Sequence, residues 1–316
     1  MSLANLPRPT IFVFGGGGSR GAAHAGTMRA LTEAGVYPDA VIGTSVGSIS
    51  AAVAAEYPGG AADKLLAVWR EIQKKDAFPG NPVDIMTTLR RSRRYLYSSE
   101  ALRTTLRKYL SAVRIEDLAL PYGAVTTDYR RATAKLLRSG SLVNAIVASA
   151  AIPTVYPMVE IDNEMLCDGG VVANVPALEA LSFQPASMVV LDCIGPVNAI
   201  DNGIVDIAMG AASIMMHKQR VADLTQAAKD VPVVYMPPPS SVGSVFDFSH
   251  TDELIEDTYS TGREFLKRLE LPTVATPGLY GELPSGWDDP DRAGDDEPTS
   301  DSRMREPKQP KRQGTW

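Results

Sequence analysis

A serine set between two glycines, Gly43-Thr44-Ser45-Val46-Gly47, and an aspartate followed by two more, Asp168-Gly169-Gly170, are the residues of this chain best suited to chemistry. The first stretch is a G-x-S-x-G placed where an apolar run, DAVI, gives way to a small-residue helix, SISAAVAA. Such a strand-to-helix turn is sharp: it exposes the serine hydroxyl, and the flanking glycines keep side chains out of the crossing. The helix opening at Ser45 directs its positive dipole end at negative charge developing nearby. Nucleophilic attack at an acyl or phosphoryl centre is the chemistry this arrangement suits.

A serine hydroxyl needs a base. The chain has three histidines. His24 lies on the first turn of a helix and reads as structural, His217 is mid-helix, and His250 precedes a helix amid Asp247 and Asp252. Asp168 is the stronger candidate: it ends a strand, and Gly169 and Gly170 let the chain turn tightly and a partner come close. Seen alone, the same residues are equally an Asp-Gly turn. An ordinary carboxylate titrates near ~3.9, so to serve as base Asp168 must sit within direct hydrogen-bond reach of Ser45.

A further glycine-rich turn, Gly15 to Gly21, also fits G-x-G-x-x-G through Gly16, Gly18 and Gly21, the dinucleotide pattern. Consecutive backbone N–H groups can instead cradle a substrate oxygen. The serine elbow on the neighbouring strand favours that second use, because a dinucleotide site needs no exposed serine there.

The elements that must position these residues follow from hydrophobic pattern. Thr10 to Phe14, a helix to about Gly35, and the strand before Ser45 form one βαβ unit, which lays its strands parallel and brings both glycine turns to one sheet edge. An amphipathic helix is expected from Gly60 to Ala77, ended by Phe78-Pro79-Gly80-Asn81-Pro82. Tyr122 to Thr127 and Thr133 to Leu137 read as a strand pair, SLVNAIVASAA as a helix, and the runs around Asp162-Asn163-Glu164 as a tight hairpin leading to Asp168. Ser187 to Ile194 and Val231 to Met236 are buried-strand runs flanking a long helix, Ile204 to Lys229, whose Met215 and Met216 are expected in the core or lining a pocket. A last helix, about Thr251 to Leu269, is expected to be capped by Ser249 with Asp252 three residues on.

Composition sets limits. A net charge of −6 and 44% apolar residues describe a globular chain without the basic footprint of a nucleic-acid binder. Cys167 and Cys193 are too few for a disulfide framework and too far apart for a metal pair, so both are expected as buried thiols in a reducing compartment. No metal or cofactor is expected. The N-terminus has no secretory pattern and no run of roughly 18 apolar residues occurs, which points to a cytoplasmic protein, peripheral at most to a membrane. Leu89 to Tyr109 carries Arg90, Arg91, Arg93, Arg94, Arg103, Arg107 and Lys108 among Tyr95, Leu96, Tyr97 and Leu102. That stretch is either a solvated helical face or a surface for anionic lipid headgroups. Residues 1–277 are expected to form the catalytic domain, and 278–316, rich in Pro, Gly, Asp and Ser, a disordered tail.

Together GGGGSRG, GTSVG and DGG resemble the patatin-like phospholipase family. Its pattern is G-G-G-x-[RK]-G, then G-x-S-x-G, then D-G-[GA], and Gly16 to Gly21, Gly43 to Gly47 and Asp168 to Gly170 match it in order. The contexts SAAIPTVYP, DGGVVANVP and TTD are also similar, over about residues 10 to 270. The resemblance implies a three-layer α/β/α sandwich with a mainly parallel central sheet. It implies a Ser-Asp dyad without histidine, Ser45 as nucleophile and Asp168 as general base. The amides of Gly16, Gly17 and Gly18 would form the oxyanion hole, with Arg20 at the family's basic position orienting that loop. The implied substrate is an acyl ester of a phospholipid, a lysophospholipid or a neutral lipid, classes that these motifs do not separate. Two other readings remain at this level: a Ser-Asp-His triad of α/β-hydrolase type using His217 or His250, and a non-catalytic lipid-binding module.

Overall fold

The computed structural model describes residues 6–80, 82–195, 204–240, 244–269 and 275–283. The chain opens with β1 (Thr10–Phe14), α1 (Ala22–Glu33), β2 (Ala40–Thr44) and α2 (Val46–Glu56). Then come α3 (Ala61–Glu71), α4 (Lys74–Ala77), α5 (Pro82–Ser92) and α6 (Glu100–Tyr109), followed by β3 (Tyr122–Asp128), β4 (Thr133–Leu137) and α7 (Leu142–Ser149). The second half holds β5 (Val159–Ile161), β6 (Glu164–Asp168), α8 (Ala177–Ala180), β7 (Ser187–Leu191), α9 (Ile204–Ala227), β8 (Pro232–Tyr235), α10 (Thr251–Arg268) and β9 (Gly278–Tyr280).

One sheet runs in the order β5-β6-β3-β2-β1-β7-β8-β9, with β4 on β3. Its centre, β3-β2-β1-β7-β8-β9, is parallel. Apart from the half-buried edge strand β9, the strands there are buried on both faces, so their side chains split by parity. Phe12 and Phe14 pack into one core with Met28, Leu31, Ala51 and Ile255, whereas Ile11 and Val13 pack into another with Ala177, Val233 and Leu224. The result is the expected three-layer α/β/α arrangement.

The position of β6 decides the rest. β3 pairs with β2 in parallel through Tyr122–Val125 and with β6 antiparallel through Thr126–Asp128. On its other flank it pairs with β4 from Ala124 to Asp128. Because β4 overlaps both partners, β2 and β6 share the opposite flank and run head to head along it. Thr44, the last residue of β2, faces Val125, and Asp168, the last of β6, faces Thr126.

Several expectations need correction. The helix predicted from Gly60 to Ala77 breaks at Ile72, whose backbone is extended (φ −65°, ψ 132°), to give α3 and α4. Ser249 does not cap α10: the helix begins at Thr251 with His250 in the cap position and no side-chain cap, which leaves Ser249 one residue too early, its hydroxyl donating to Asp247 Oδ1 at 2.7 Å. Met215 is 73% exposed, because it lies on the outer side of α9, while Met216 lines a small cavity. Gly278–Tyr280, assigned above to the tail, forms β9 on the free edge of β8. The remainder of that tail, 284–316, lies outside the described residues.

Gly26 sits mid-helix in α1, where glycine costs about 1 kcal/mol relative to alanine. A Cβ there would collide with the Ile255 carbonyl and Thr258 hydroxyl of α10, so the glycine lets the two helices touch. Gly26→Ala is therefore expected to lose about 1–3 kcal/mol in urea unfolding despite its better helix propensity. A gain in stability would mean that this contact does not set the helix separation.

Candidate active site

Ser45 joins β2 to α2 with φ 53° and ψ −125°, a backbone conformation rare for a side-chain-bearing residue. Such strain costs about 1–3 kcal/mol and needs surroundings that enforce it. Ser45 N–H donates to Ser149 Oγ at 2.9 Å, and Ser149 Oγ–H donates on to the Val125 carbonyl at 2.6 Å. From the helix side, Ser48 Oγ–H holds the Ser45 carbonyl at 2.6 Å. The two glycines of the motif interlock with backbone: a Cβ on Gly43 would strike the Gly47 carbonyl, and one on Gly47 the Phe14 and Gly15 carbonyls.

The register on β3 brings the second motif to the first. Ser45 Oγ–H donates to Asp168 Oδ2 at 2.7 Å, and both residues are buried. Asp168 Oδ1 accepts the Gly170 N–H at 2.7 Å. Its backbone is tied by Asp168 N–H to the Ala151 carbonyl (2.9 Å) and by the Thr127 hydroxyl to the Asp168 carbonyl (2.8 Å). Each carboxylate oxygen thus has its own donor. Burial pushes the Asp168 pKa up to about 6, against the opposing pull of the Ser45 and Gly170 hydrogen bonds. A carboxyl near neutrality is a far better proton acceptor than an ordinary one.

The glycine loop lies across both motifs. A Cβ on Gly16 would press on the Asn174 side-chain oxygen at 2.7 Å and stand 3.3 Å from Ser45 Cβ, so the glycine lets the loop lie close to both. The Gly16 N–H, however, is spent: it donates to the Asn174 carbonyl at 2.9 Å, which removes Gly16 from the expected set of oxyanion donors. Gly17 and Gly18 differ. Among the described residues neither N–H has an acceptor, and Gly18, at φ 61°, opens a 3-10 turn (Gly18–Gly21) and lines the same cavity as Ser45. The Arg20 N–H closes the loop on the Gly17 carbonyl at 3.3 Å. Burial lowers the pKa of the Arg20 guanidinium, against the attraction of the charge on Asp192 behind the loop. Gly21 admits Val46 and Trp69, where a Cβ would collide with both.

Two residues that motif reasoning did not single out hold this assembly. Asn174 joins the loops, its carbonyl taking Gly16 N–H and its Nδ2 donating to the Gly16 carbonyl at 3.3 Å. Ser149 supports the elbow as described. Both lie inside the quoted contexts of the motifs, DGGVVANVP and SAAIP, which was the available signal.

No histidine joins the dyad among the described residues. His24 is fully buried between α1 and α2, its Nδ1 3.1 Å from Ser50 Oγ, and burial lowers its pKa to about 4. The Arg220 guanidinium donates to His217 Nδ1 at 2.8 Å, so that nitrogen cannot take a proton from serine. His250 is exposed and pairs with Glu253 at 2.8 Å. Cys167 and Cys193 are free and buried, and the described residues hold no group of three or more candidate metal ligands.

From Ser45 a cavity open to the surface extends between α2, α3 and α6. Its wall is Val46, Ile49, Val53, Val68, Trp69, Ile72, Phe78, Leu102, Leu106, Leu110, Ile152 and Tyr156, with few polar groups. The site is a strained serine on a buried carboxylate, at the end of an apolar chamber.

The family model described as patatin-like phospholipase matches residues 12–181, just over half of the chain and all three motifs. The chain belongs to the patatin-like phospholipase family. This family member is 35% identical over 182 residues to patatin-like phospholipase domain-containing protein 6 of Mus musculus, covering 57% of the chain and 13% of that protein. It is 28% identical over 318 residues to lysophospholipase NTE1 of Kluyveromyces lactis, covering 85% of the chain and 20% of that protein. The chain therefore spans a fifth or less of these relatives. Among solved structures it is similar to VipD from Legionella pneumophila, at 14% identity and TM-score 0.47 over 83% of this chain and 67% of that one.

The raised pKa of Asp168 makes the stability of the fold depend on pH. Its folded value lies above its ordinary one, so its contribution to stability is fully present only below the ordinary carboxylate range and is lost as pH rises through about 6. Unfolding measured from pH 4 to pH 8 is expected to show Asp168→Asn gaining on the wild type by about 2–3 kcal/mol across that window. Parallel stability curves would mean that Asp168 titrates as an ordinary carboxylate.

Proposed function

We propose that this chain is a lipid acyl hydrolase that cleaves carboxylic esters of phospholipids or lysophospholipids through a Ser45–Asp168 dyad and an acyl-enzyme intermediate. The observation that carries it is the 2.7 Å hydrogen bond from Ser45 Oγ to Asp168 Oδ2 at the end of an apolar cavity. Membership of the family supports the substrate class, and the cavity suits an acyl chain better than a sugar or nucleotide.

In this scheme the acyl chain lies along Val53, Trp69 and Leu106, which leaves the ester carbonyl over Ser45. Asp168 accepts the Ser45 proton as Oγ attacks, and the carbonyl oxygen, now negative, rests on the N–H groups of Gly17 and Gly18 near the positive end of α2. Asp168 returns the proton to the departing alcohol oxygen. Water then enters, gives its proton to the same carboxylate and attacks the acyl-serine, which releases the fatty acid and restores the dyad. The substrates of such an enzyme lie in membranes, so the chain works in peripheral contact with an anionic lipid surface.

Two classes of variant test the scheme by free fatty acid release from phospholipid, lysophospholipid and short-chain esters. Ser45→Ala and Asp168→Asn are expected to lower kcat by about 10³-fold or more, because each removes a member of a unit that acts together. His217→Ala and His250→Ala are expected to stay within a few-fold of the wild type. Activity that survives Asp168→Asn but is lost in a histidine variant would overturn the dyad.

A further inference from the structure

Between Phe78 and Tyr97 the chain leaves the body of the protein and comes back to the same place. The two rings lie 5.6 Å apart at the start and end of the excursion, in an aromatic group with Tyr156, Phe246 and Phe248, and Phe78 is part of the catalytic cavity wall. The returning strand is pinned by Leu96 N–H to the Thr154 carbonyl (3.0 Å) and Tyr97 N–H to the Val155 carbonyl (2.9 Å). What the excursion carries is α5.

From Val83 to Ser92 this helix has no buried residue, although its sequence includes Val83, Ile85, Met86 and Leu89. Val83 is 72% exposed, Met86 49% and Leu89 38%, and their spacing of three places them on one stripe of the helix. Arg90 follows Val83 by seven residues and continues that stripe, with Arg91, Arg93 and Arg94 beside it. Among the described residues none of these four guanidinium groups forms an ion pair, and Asp84 is the one acidic side chain between Val83 and Arg94. Of the other basic residues of the stretch, Lys108 pairs with Glu71 and Arg103 is held by Asn144 and Glu100, while Arg107 is exposed on α6. Tyr95, Leu96 and Tyr97 are half-buried. The lipid-facing surface read from the sequence over Leu89–Tyr109 is therefore concentrated on α5 and the turn after it, where exposed apolar side chains and four exposed arginines occur together.

We infer that α5 is the membrane-docking element of this chain: Val83, Met86 and Leu89 enter the headgroup boundary of an anionic bilayer while Arg90, Arg91, Arg93 and Arg94 hold its phosphates. Helices of this kind lie in the interface plane, with affinity from buried apolar area and from attraction to anionic lipid. Charge favours this occupant. The chain carries −6 overall and would be repelled by an acidic surface presented at random, so a patch of four arginines selects the side that faces the lipid. One foot of the excursion, Phe78, is part of the cavity wall and the other, Tyr97, packs its ring against Phe78, so docking through α5 brings the mouth of the acyl cavity to the surface from which a substrate must leave. This rests on the hydrolase reading above.

The test is co-sedimentation of the full chain with phosphatidylcholine vesicles containing none or 30% phosphatidylglycerol, beside hydrolysis of a water-soluble short-chain ester. The triple variant Val83→Ser, Met86→Ser, Leu89→Ser and the charge variant Arg90→Gln, Arg91→Gln, Arg93→Gln, Arg94→Gln change exposed side chains only. Each is expected to weaken binding to acidic vesicles by about tenfold or more, at roughly fivefold per arginine near such a surface, with soluble-ester hydrolysis unchanged. Because Cys167 and Cys193 are buried, a polarity-sensitive dye on Met86→Cys reports insertion and is expected to blue-shift with acidic vesicles. Wild-type binding that ignores acidic lipid, or equal binding by both variants, would overturn the docking role while Ser45-dependent ester hydrolysis still upheld the enzyme. A patch that instead captures an acidic protein and no vesicle would overturn it too. Loss of soluble-ester hydrolysis in the wild type itself would count against the hydrolase and leave vesicle binding to be judged separately.

Discussion

Strand β3 is shared, along one flank, by two strands that run toward each other and stop at adjacent positions. Val125 receives Thr44 and Thr126 receives Asp168, so the residue after one strand and the last residue of the other are neighbours by construction. Every feature of the site depends on that junction. It lets a serine and a carboxylate 123 residues apart meet at 2.7 Å, and it leaves no room between them for a third group. A slip of either strand by one position would turn its side chains to the opposite face of the sheet and dissolve the pair.

The junction is expensive and the fold surrounds it with compensation. Ser45 is held in a strained backbone, Asp168 is ionised in a buried position above pH 6, and the glycine loop must press against both. Ser149, Thr44 and Thr127 tie the two strand ends to their neighbours through the carbonyls of Val125, Ala173 and Asp168. Behind the loop, Arg220 binds the Asp192 carboxylate and the Ile194 carbonyl, and Tyr235 OH donates to Asp192 Oδ2 at 2.7 Å. Gly15 N–H reaches the Leu191 carbonyl, and Cys193 Sγ–H the Gly16 carbonyl at 3.3 Å. A buried ion pair contributes little net stability, but losing one partner is costly, and here it fixes the shelf on which the glycine loop rests.

Much of this was legible in the residues. The parallel centre of the sheet followed from apolar runs bounded by glycine, the hairpin before Asp168 from Asp162-Asn163, both at positive φ (51° and 63°), and the nearness of Ser45 to Asp168 from the resemblance carried by the three ordered motifs. What was not legible is what depends on contact rather than pattern. Nothing local says that Gly16 N–H will be taken by Asn174 while Gly17 and Gly18 keep theirs. Ser249 carries a sound capping signal but stands one residue ahead of the cap position, which His250 takes, and Met215 has core chemistry but faces outward on α9. In the basic stretch, sequence shows charge but cannot show which arginines find partners. The edge strand Gly278–Tyr280 is too short for its pattern to stand out from the polar segment after it.

The central claim is that Ser45 is the atom on which the acyl group rides, activated by Asp168. It is tested most directly by quenching the wild-type chain in acid during turnover of a slow ester, or after brief exposure to a fluorophosphonate, and mapping the adduct by peptide mass spectrometry. One modified peptide is expected, carrying Ser45, and none when Asp168→Asn is treated in the same way. Modification at another serine, or an equal yield on Ser45 in Asp168→Asn, would contradict it.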